Sequence, residues 1–145
     1  MDRKATVMFL CTGNSCRSQM AEGFARTLGS DIVDASSAGI VAYGLNPRAV
    51  KVMREIGVDI SGQTSDVLDP AILPTLDYCI TLCGNAEERC PLTPQGGVKR
   101  LHWPFEDPTG TIGSDEDIMV AFRKVRDGIR TRVSEFLQHL RRGKA

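Results

Sequence analysis

The chain has 145 residues, 41% of them hydrophobic and 25% charged, and its 18 basic side chains balance 18 acidic ones. This length suits one globular domain, which we expect over residues 1–145. A net charge of zero gives no reason to expect nucleic acid or an anionic membrane as a partner. No apolar run approaches the roughly 18 residues of a membrane-spanning helix. We therefore expect a cytoplasmic monomer whose five cysteines do not form structural disulfides.

Apolar runs alternate with helical patterns along the chain. The predicted elements, in chain order, are a strand over 5–10, a helix over 17–28, a strand over 31–37, a helix over 47–56, a short strand or loop near 58–65, a short helix over 69–73, strands over 76–82 and 98–101, and a long helix with an apolar stripe from 118 to 140. This alternation predicts an α/β fold with a mainly parallel central sheet of about four strands and helices on both faces. Ligands of such folds bind at the carboxyl ends of strands, where Cys11 and Cys83 would face one crevice.

The segment between the first strand and the first helix carries the strongest chemical signal. It consists of Cys11, Thr12, Gly13, Asn14, Ser15, Cys16, Arg17 and Ser18. Backbone N–H groups of such a loop converge on one point, and the helix N-terminus adds partial positive charge that favours a thiolate. Arg17 can bind a tetrahedral oxyanion through two parallel hydrogen bonds. The segment therefore predicts a nucleophile in an oxyanion cradle, against the alternative of a buried cysteine and a surface arginine in a plain turn.

Asp107 stands before Pro108 in an irregular stretch. A residue before proline is held in an extended conformation and can project from a loop. Asp107 is thus a candidate general acid or base above the Cys11 loop, or else an ordinary turn aspartate.

Cys83 and Cys90 flank a segment whose residues Ala86 to Arg89 favour a helix. Seven residues of helix span about 10.5 Å, whereas a disulfide needs Cα atoms within roughly 7 Å. The two thiols can therefore pair only if the segment unwinds, which Gly84 and Pro91 at its ends would ease. Idle thiols and a metal site with Cys79 and His102 are the alternatives, although the spacing is not a common zinc pattern.

These motifs together resemble the thioredoxin-coupled arsenate reductases, which share the fold of the low-molecular-weight protein tyrosine phosphatases. The resemblance extends over nearly the whole chain. The motifs that carry it are Cys11 to Gly23, Ser37 to Gly39, Gln63 to Asp66, Thr81 to Gly84, Cys90 with Pro91, His102 with Trp103, and Asp107 with Pro108. The anion loop alone does not separate reductase from phosphatase. The pair of cysteines at 83 and 90, which the phosphatases generally lack, makes the reductase reading specific.

The resemblance implies a three-cysteine relay. Cys11 would attack arsenate while Arg17 and the loop N–H groups stabilise its oxygens, and Asp107 would protonate the leaving oxygen. Cys83 would then attack Cys11 and release arsenite. Cys90 would attack Cys83, and thioredoxin would reduce the resulting disulfide. Phosphate or sulfate would mimic the substrate.

The family also implies a cation site beside the loop in some members. The positions that match its potassium ligands are Asn14, Glu22, Ser37, Thr64 and Asp66. Oxygen ligands suit a hard cation, but the same groups could form a hydrogen-bond network. Gln63 stands where some members have histidine, and no cofactor is otherwise expected.

Two other functions stay open at this point. A small phosphatase could use the same loop, although Thr109 and Gly110 follow Asp107-Pro108 where phosphatases typically place aromatic residues, so only weak phosphatase activity is expected. A non-enzymatic metalloid or zinc sensor would leave the cradle unexplained. The sequence also leaves glutaredoxin or mycothiol systems as alternative reductants.

Overall fold

The computed structural model describes residues 4–83 and 98–143. Within them, four parallel strands form one sheet in the order β2-β1-β3-β4. The strands are β1 Ala5–Cys11, β2 Val33–Gly39, β3 Tyr78–Thr81 and β4 Lys99–His102, and the helices are α1 Arg17–Gly29, α2 Pro47–Arg54 and α3 Asp115–Gly143. Two short 3₁₀ helices span Pro70–Thr75 and Pro108–Gly110. The predicted α/β architecture is confirmed.

The strands follow their predicted positions with shifts of at most two residues at the ends. Residues 58–65 form no strand, and only Val67 bridges the sheet, beside Gly39. The predicted helix over 69–73 is a 3₁₀ helix, Pro70–Thr75, because Pro74 inside it has no N–H to donate. Of the two alternatives predicted near residues 58–65, a short strand or a loop, the loop is correct.

The ends of α2 confirm the capping prediction. Asn46 Oδ1 accepts hydrogen bonds from the N–H groups of Arg48 and Ala49, at 2.8 and 3.4 Å. Pro47 occupies the first turn, where a missing donor costs nothing. Gly57 follows the helix with a φ of 82°, a conformation that favours glycine.

The core lies on both sides of β1, since successive residues from Val7 to Cys11 are all buried. On one side, the rings of Trp103 and Phe136 pack edge-on, and Trp103 also contacts Phe9. No helix in the described part of the chain has the length and apolar content to cross a membrane. Because β1 and β3 are parallel neighbours, with Leu10 opposite Thr81, the ends that carry Cys11 and Cys83 meet at one edge of the sheet.

Candidate active site

The loop between β1 and α1 turns its carbonyl groups away from its centre. Asn14 has a φ of 47°, in the left-handed region that lets the chain reverse. A neighbouring segment, residues 40–46, lies along the outside of the loop and donates to its carbonyls. These hydrogen bonds run from Ile40 N to Cys11 O (3.3 Å), Val41 N to Thr12 O (3.0 Å), Tyr43 N to Gly13 O (2.9 Å) and Asn46 N to Ser15 O (3.1 Å). The carbonyls are thus occupied on the outer side.

The N–H groups of the loop point the other way. Among residues 4–83 and 98–143, no group accepts a hydrogen bond from the backbone N–H groups of residues 13–18. Gly39 allows this close packing, because a Cβ on it would lie 2.3 Å from Val41 O and 2.7 Å from Asn14 N. Converging N–H groups at a helix N-terminus form an anion site. The free N–H groups and the position at the start of α1 are what the predicted cradle requires, and anion binding there stays a prediction.

Cys11 lies at the base of the cradle and is 2% exposed. Ser18 Oγ donates to Cys11 Sγ at 3.3 Å, and Asn14 Nδ2 donates to Ser18 Oγ at 2.9 Å. Because the amide occupies the oxygen of Ser18, the single hydroxyl proton is directed at the sulfur.

Arg17 and Asp107 face each other across the cleft. Arg17 Nη1 donates to the carbonyl of Phe105 at 3.0 Å, and its Nη2 lies 3.7 Å from Asp107 Oδ2. The other carboxylate oxygen of Asp107 accepts from the N–H and the hydroxyl of Thr109, at 3.0 and 2.7 Å. Oδ2 is therefore the oxygen turned toward Arg17, and the carboxyl is half-exposed.

The cleft above Cys11 has a volume of about 180 Å³. Its lining includes Cys11, Arg17 and Asp107 together with Tyr43, whose ring lies against Gly13. Pockets for drug-sized ligands usually measure about 300–1,000 Å³. The cleft thus suits a small tetrahedral anion better than a large organic substrate.

Cys83 lies beside the loop, where its thiol contacts Thr12. The N–H of Leu82 donates to Leu10 O at 2.9 Å, which aligns the end of β3 with the end of β1. Cys83 Sγ then lies 3.0 Å from Thr12 Oγ1, next to the residue that carries the nucleophile. Cys90 and the predicted helix around Ala86 to Arg89 lie outside the described residues.

The remaining cysteines are buried. Cys79 is fully buried within β3, as its position in an apolar strand predicts. Cys16 lines the cleft, and burial raises the pKa of its thiol to about 12, with a smaller opposing effect of the Ser15 hydroxyl. Cys16 is therefore a neutral thiol at physiological pH.

The positions expected to bind potassium come together beside the loop. Asn14 Nδ2 donates to Ser37 Oγ at 3.0 Å, and Ser37 Oγ donates to Glu22 Oε1 at 2.5 Å. On the other side, the N–H of Asp66 donates to Asn14 Oδ1 at 2.8 Å, and Thr64 Oγ1 donates to Asp66 Oδ2 at 2.7 Å. These oxygens are thus engaged with one another.

Arg26 supplies the positive charge of this network. Its Nη2 lies 2.7 Å from Glu22 Oε2, one helical turn away on α1. Burial raises the pKa of Glu22, while the hydrogen bond from Ser37 and the charge of Arg26 act in the opposite direction. The carboxylate of Glu22 thus has a cationic partner within the protein. The described residues also contain no group of three or more His, Cys, Asp or Glu side chains placed to hold a metal ion.

Comparison with known proteins agrees with this geometry. The family model of the low molecular weight phosphotyrosine protein phosphatases matches residues 6–145. An arsenate reductase of Bacillus licheniformis is 55% identical over 135 residues, which cover 93% of this chain and 96% of that protein. The chain belongs to the arsenate reductase branch of the low molecular weight phosphotyrosine protein phosphatase family.

Solved structures of this family superpose well on the chain. An arsenate reductase in the phosphate binding state has a TM-score of 0.74 and 37% identity, and the match covers 94% of this chain and 98% of that one. A thioredoxin-dependent arsenate reductase of Corynebacterium glutamicum has a TM-score of 0.79 and 25% identity, with 98% and 64% coverage.

Several site residues were absent from the sequence predictions. Tyr43 and Phe105 come from loops, and nothing in their local sequence indicates that they reach the cleft or Arg17. The ion pair of Arg26 could have been predicted, because Arg26 follows Glu22 at the i, i+4 spacing of helical ion pairs. Thr12 was expected to bind the anion, but its contact with Cys83 joins residues 71 positions apart and has no local signature.

Proposed function

We propose that this chain reduces arsenate to arsenite through Cys11, Cys83 and Cys90. The observation that carries the proposal is the second thiol beside the loop, with Cys83 Sγ 3.0 Å from Thr12 Oγ1. A phosphatase clears its cysteine with water and needs no thiol there. The names of the curated relatives support the same activity.

The first step forms a bond between Cys11 sulfur and arsenic. The thiolate attacks arsenate, one arsenic–oxygen bond breaks, and that oxygen leaves as water after Asp107 donates a proton. Arg17 and the inward N–H groups bind the other oxygens and stabilise their charge. The hydrogen bond from Ser18 holds the attacking sulfur in place.

The second step transfers two electrons to arsenic. Cys83 attacks the sulfur of Cys11, the sulfur–arsenic bond breaks, and its electron pair stays on arsenic, which becomes arsenite. A Cys11–Cys83 disulfide balances the reduction. Cys90 then attacks the sulfur of Cys83, which leaves Cys11 as a thiolate and forms a Cys83–Cys90 disulfide.

An external dithiol must reduce this last disulfide, and we propose thioredoxin as that partner. The structural relative named as thioredoxin-dependent supports the choice. Free thiols at rest require a reducing compartment, which favours the cytoplasm.

The test couples arsenate reduction to NADPH oxidation through thioredoxin and thioredoxin reductase. We expect Cys11→Ser, Cys83→Ser and Cys90→Ser to abolish multiple turnover, while the matched control Cys79→Ala keeps at least half of the wild-type rate. Normal multiple turnover by Cys83→Ser would refute the relay. Replacing thioredoxin and its reductase with a glutaredoxin or a mycothiol system, each supplied with its own NADPH-dependent reductase, identifies the reductant.

Weak phosphatase activity is a second candidate function. The cradle, Cys11, Arg17 and Asp107 suffice for hydrolysis of a phosphate monoester, and the family model supports it. Hydrolysis of p-nitrophenyl phosphate should depend on Cys11 but persist in Cys83→Ser. Equal loss of hydrolysis in both variants would contradict this separation.

We also propose that turnover needs no potassium ion, because Arg26 already pairs with Glu22. Replacing potassium by sodium should change kcat/KM less than twofold in the wild type. Arg26→Met should become sensitive to potassium, whereas Arg54→Met, which removes an exposed arginine elsewhere, should not. Potassium stimulation of the wild type above fivefold would refute this proposal.

A further inference from the structure

The backbone around Phe105 holds two groups of the site at once. The carbonyl of Phe105 accepts from Arg17 Nη1 at 3.0 Å, and Asp107 follows two residues later with its Oδ2 3.7 Å from Arg17 Nη2. One edge of the guanidinium is therefore held by this segment. Any shift of Phe105 moves both the partner of the arginine and the proposed acid.

Two contacts hold Phe105 itself. Its N–H donates to Leu82 O at 3.1 Å, beside the end of β3. Its ring lies over Gly128 in the middle of α3, where a Cβ would meet Cε1 at 3.0 Å and Cδ1 at 3.7 Å. Glycine weakens a helix interior by about 1 kcal/mol relative to alanine. The missing side chain leaves a notch on the helix that the ring of Phe105 fills.

The rest of the segment is not continuously packed on α3. A cavity of about 390 Å³ separates the two, with Glu106 and Thr111 on the loop side and Val120 and Lys124 on the helix side. Beside the cavity, the short 3₁₀ helix of this segment contacts α3, and its Pro108 is buried. The ring of Phe105 in the notch is a second contact between the segment and α3.

We propose that Phe105, seated in the notch at Gly128, is a positioning residue that sets Arg17 and Asp107 for oxyanion binding and protonation. A displacement of about 1 Å in a catalytic site can cost on the order of 100-fold in rate. This inference rests on the proposed function for its rate measurements, but phosphate binding tests it without any arsenate chemistry.

The decisive variant is Gly128→Ala. Alanine favours the helix, so the melting temperature should stay the same or rise. Its methyl group would lie 3.0 Å from Cε1 of Phe105, so the ring must shift within the notch and move the segment that carries it. We expect phosphate to bind about 10-fold more weakly and arsenate kcat/KM to fall 10- to 100-fold, with losses in both KM and kcat. A purely structural role would instead make activity follow the melting temperature.

Two further variants complete the test. Phe105→Leu should show the same losses, and adding Gly128→Ala to it should cause little more, because the smaller side chain leaves room for the methyl group. Phe136→Leu removes a ring from the same helix that packs on Tyr78 and Trp103, and it should leave phosphate affinity unchanged.

Wild-type phosphate affinity and wild-type kcat/KM in Gly128→Ala would overturn the inference. So would an equal loss of phosphate affinity in Phe136→Leu. Failure of the wild type to reduce arsenate would refute the proposed function alone, since the phosphate measurements on Phe105→Leu and Gly128→Ala still decide the role of the ring.

Discussion

The contact between Thr12 and Cys83 offers the sharpest test of the second step. Thr12→Val keeps the shape of the side chain and removes the hydroxyl that lies 3.0 Å from Cys83 Sγ. Cys83 attacks as a thiolate, and a hydrogen bond to a charged group contributes about 1.5–3 kcal/mol. Each 1.36 kcal/mol corresponds to a tenfold change in rate. Formation of the Cys11–Cys83 disulfide should therefore slow by roughly 10- to 150-fold.

The assay is arsenite formation in a single turnover, with enzyme in excess over arsenate. Thr12→Ser retains the hydroxyl and should react within about threefold of the wild type, since a methyl group adds little to this contact. Hydrolysis of p-nitrophenyl phosphate requires Cys11 but not Cys83, and it should change less than threefold in Thr12→Val. Arsenite formation at the wild-type rate in Thr12→Val would refute the assigned role of the hydroxyl.

Three further predictions concern groups around the cradle. Burial raises the pKa of Glu22 above its unfolded value, so between the two pKa values the native state retains a proton that the unfolded state has lost. The free energy of unfolding should therefore fall as the pH rises through this range. Urea titrations should show a weaker dependence of the unfolding free energy on pH for Glu22→Gln. Iodoacetamide at pH 8 should modify Cys11 and spare Cys16, whose pKa lies near 12, and peptide mass spectrometry showing the reverse would contradict this. Gly13→Ala would place a Cβ 2.3 Å from the ring of Tyr43, so phosphate affinity should fall, and adding Tyr43→Ala should restore at least part of it.

The order of elements could be read from the sequence because each depends on its own residues. The apolar run before Cys11, the N-cap at Asn46 and the glycine at 57 are local signals, and all three lie where predicted. The short helix near residue 70 was less accurate, since the tighter 3₁₀ geometry depends on how prolines compete with backbone hydrogen bonds.

The predicted cation site shows a limit of prediction from local sequence. The matching positions correctly located a cluster of oxygen-bearing side chains beside the loop. Whether such a cluster holds an ion depends on the partner of each oxygen, and in the folded chain Glu22 has Arg26 as its partner. The i, i+4 spacing predicts the ion pair of Glu22 with Arg26. The burial of Glu22 next to Ser37, however, depends on the packing of α1 against β2.

The sequence by itself determined the chemistry: a cysteine at a strand end, an arginine at the start of the next helix, and a distant pair of further cysteines. The cysteine, the loop and the arginine stay together however the remainder of the chain folds, because they are neighbours in sequence. The tertiary structure decided how the parts cooperate. It brought Cys83 to Thr12 across 71 positions and the carbonyl of Phe105 to Arg17 across 88. Such contacts depend on the pairing of strands and the packing of α3, which no local pattern specifies.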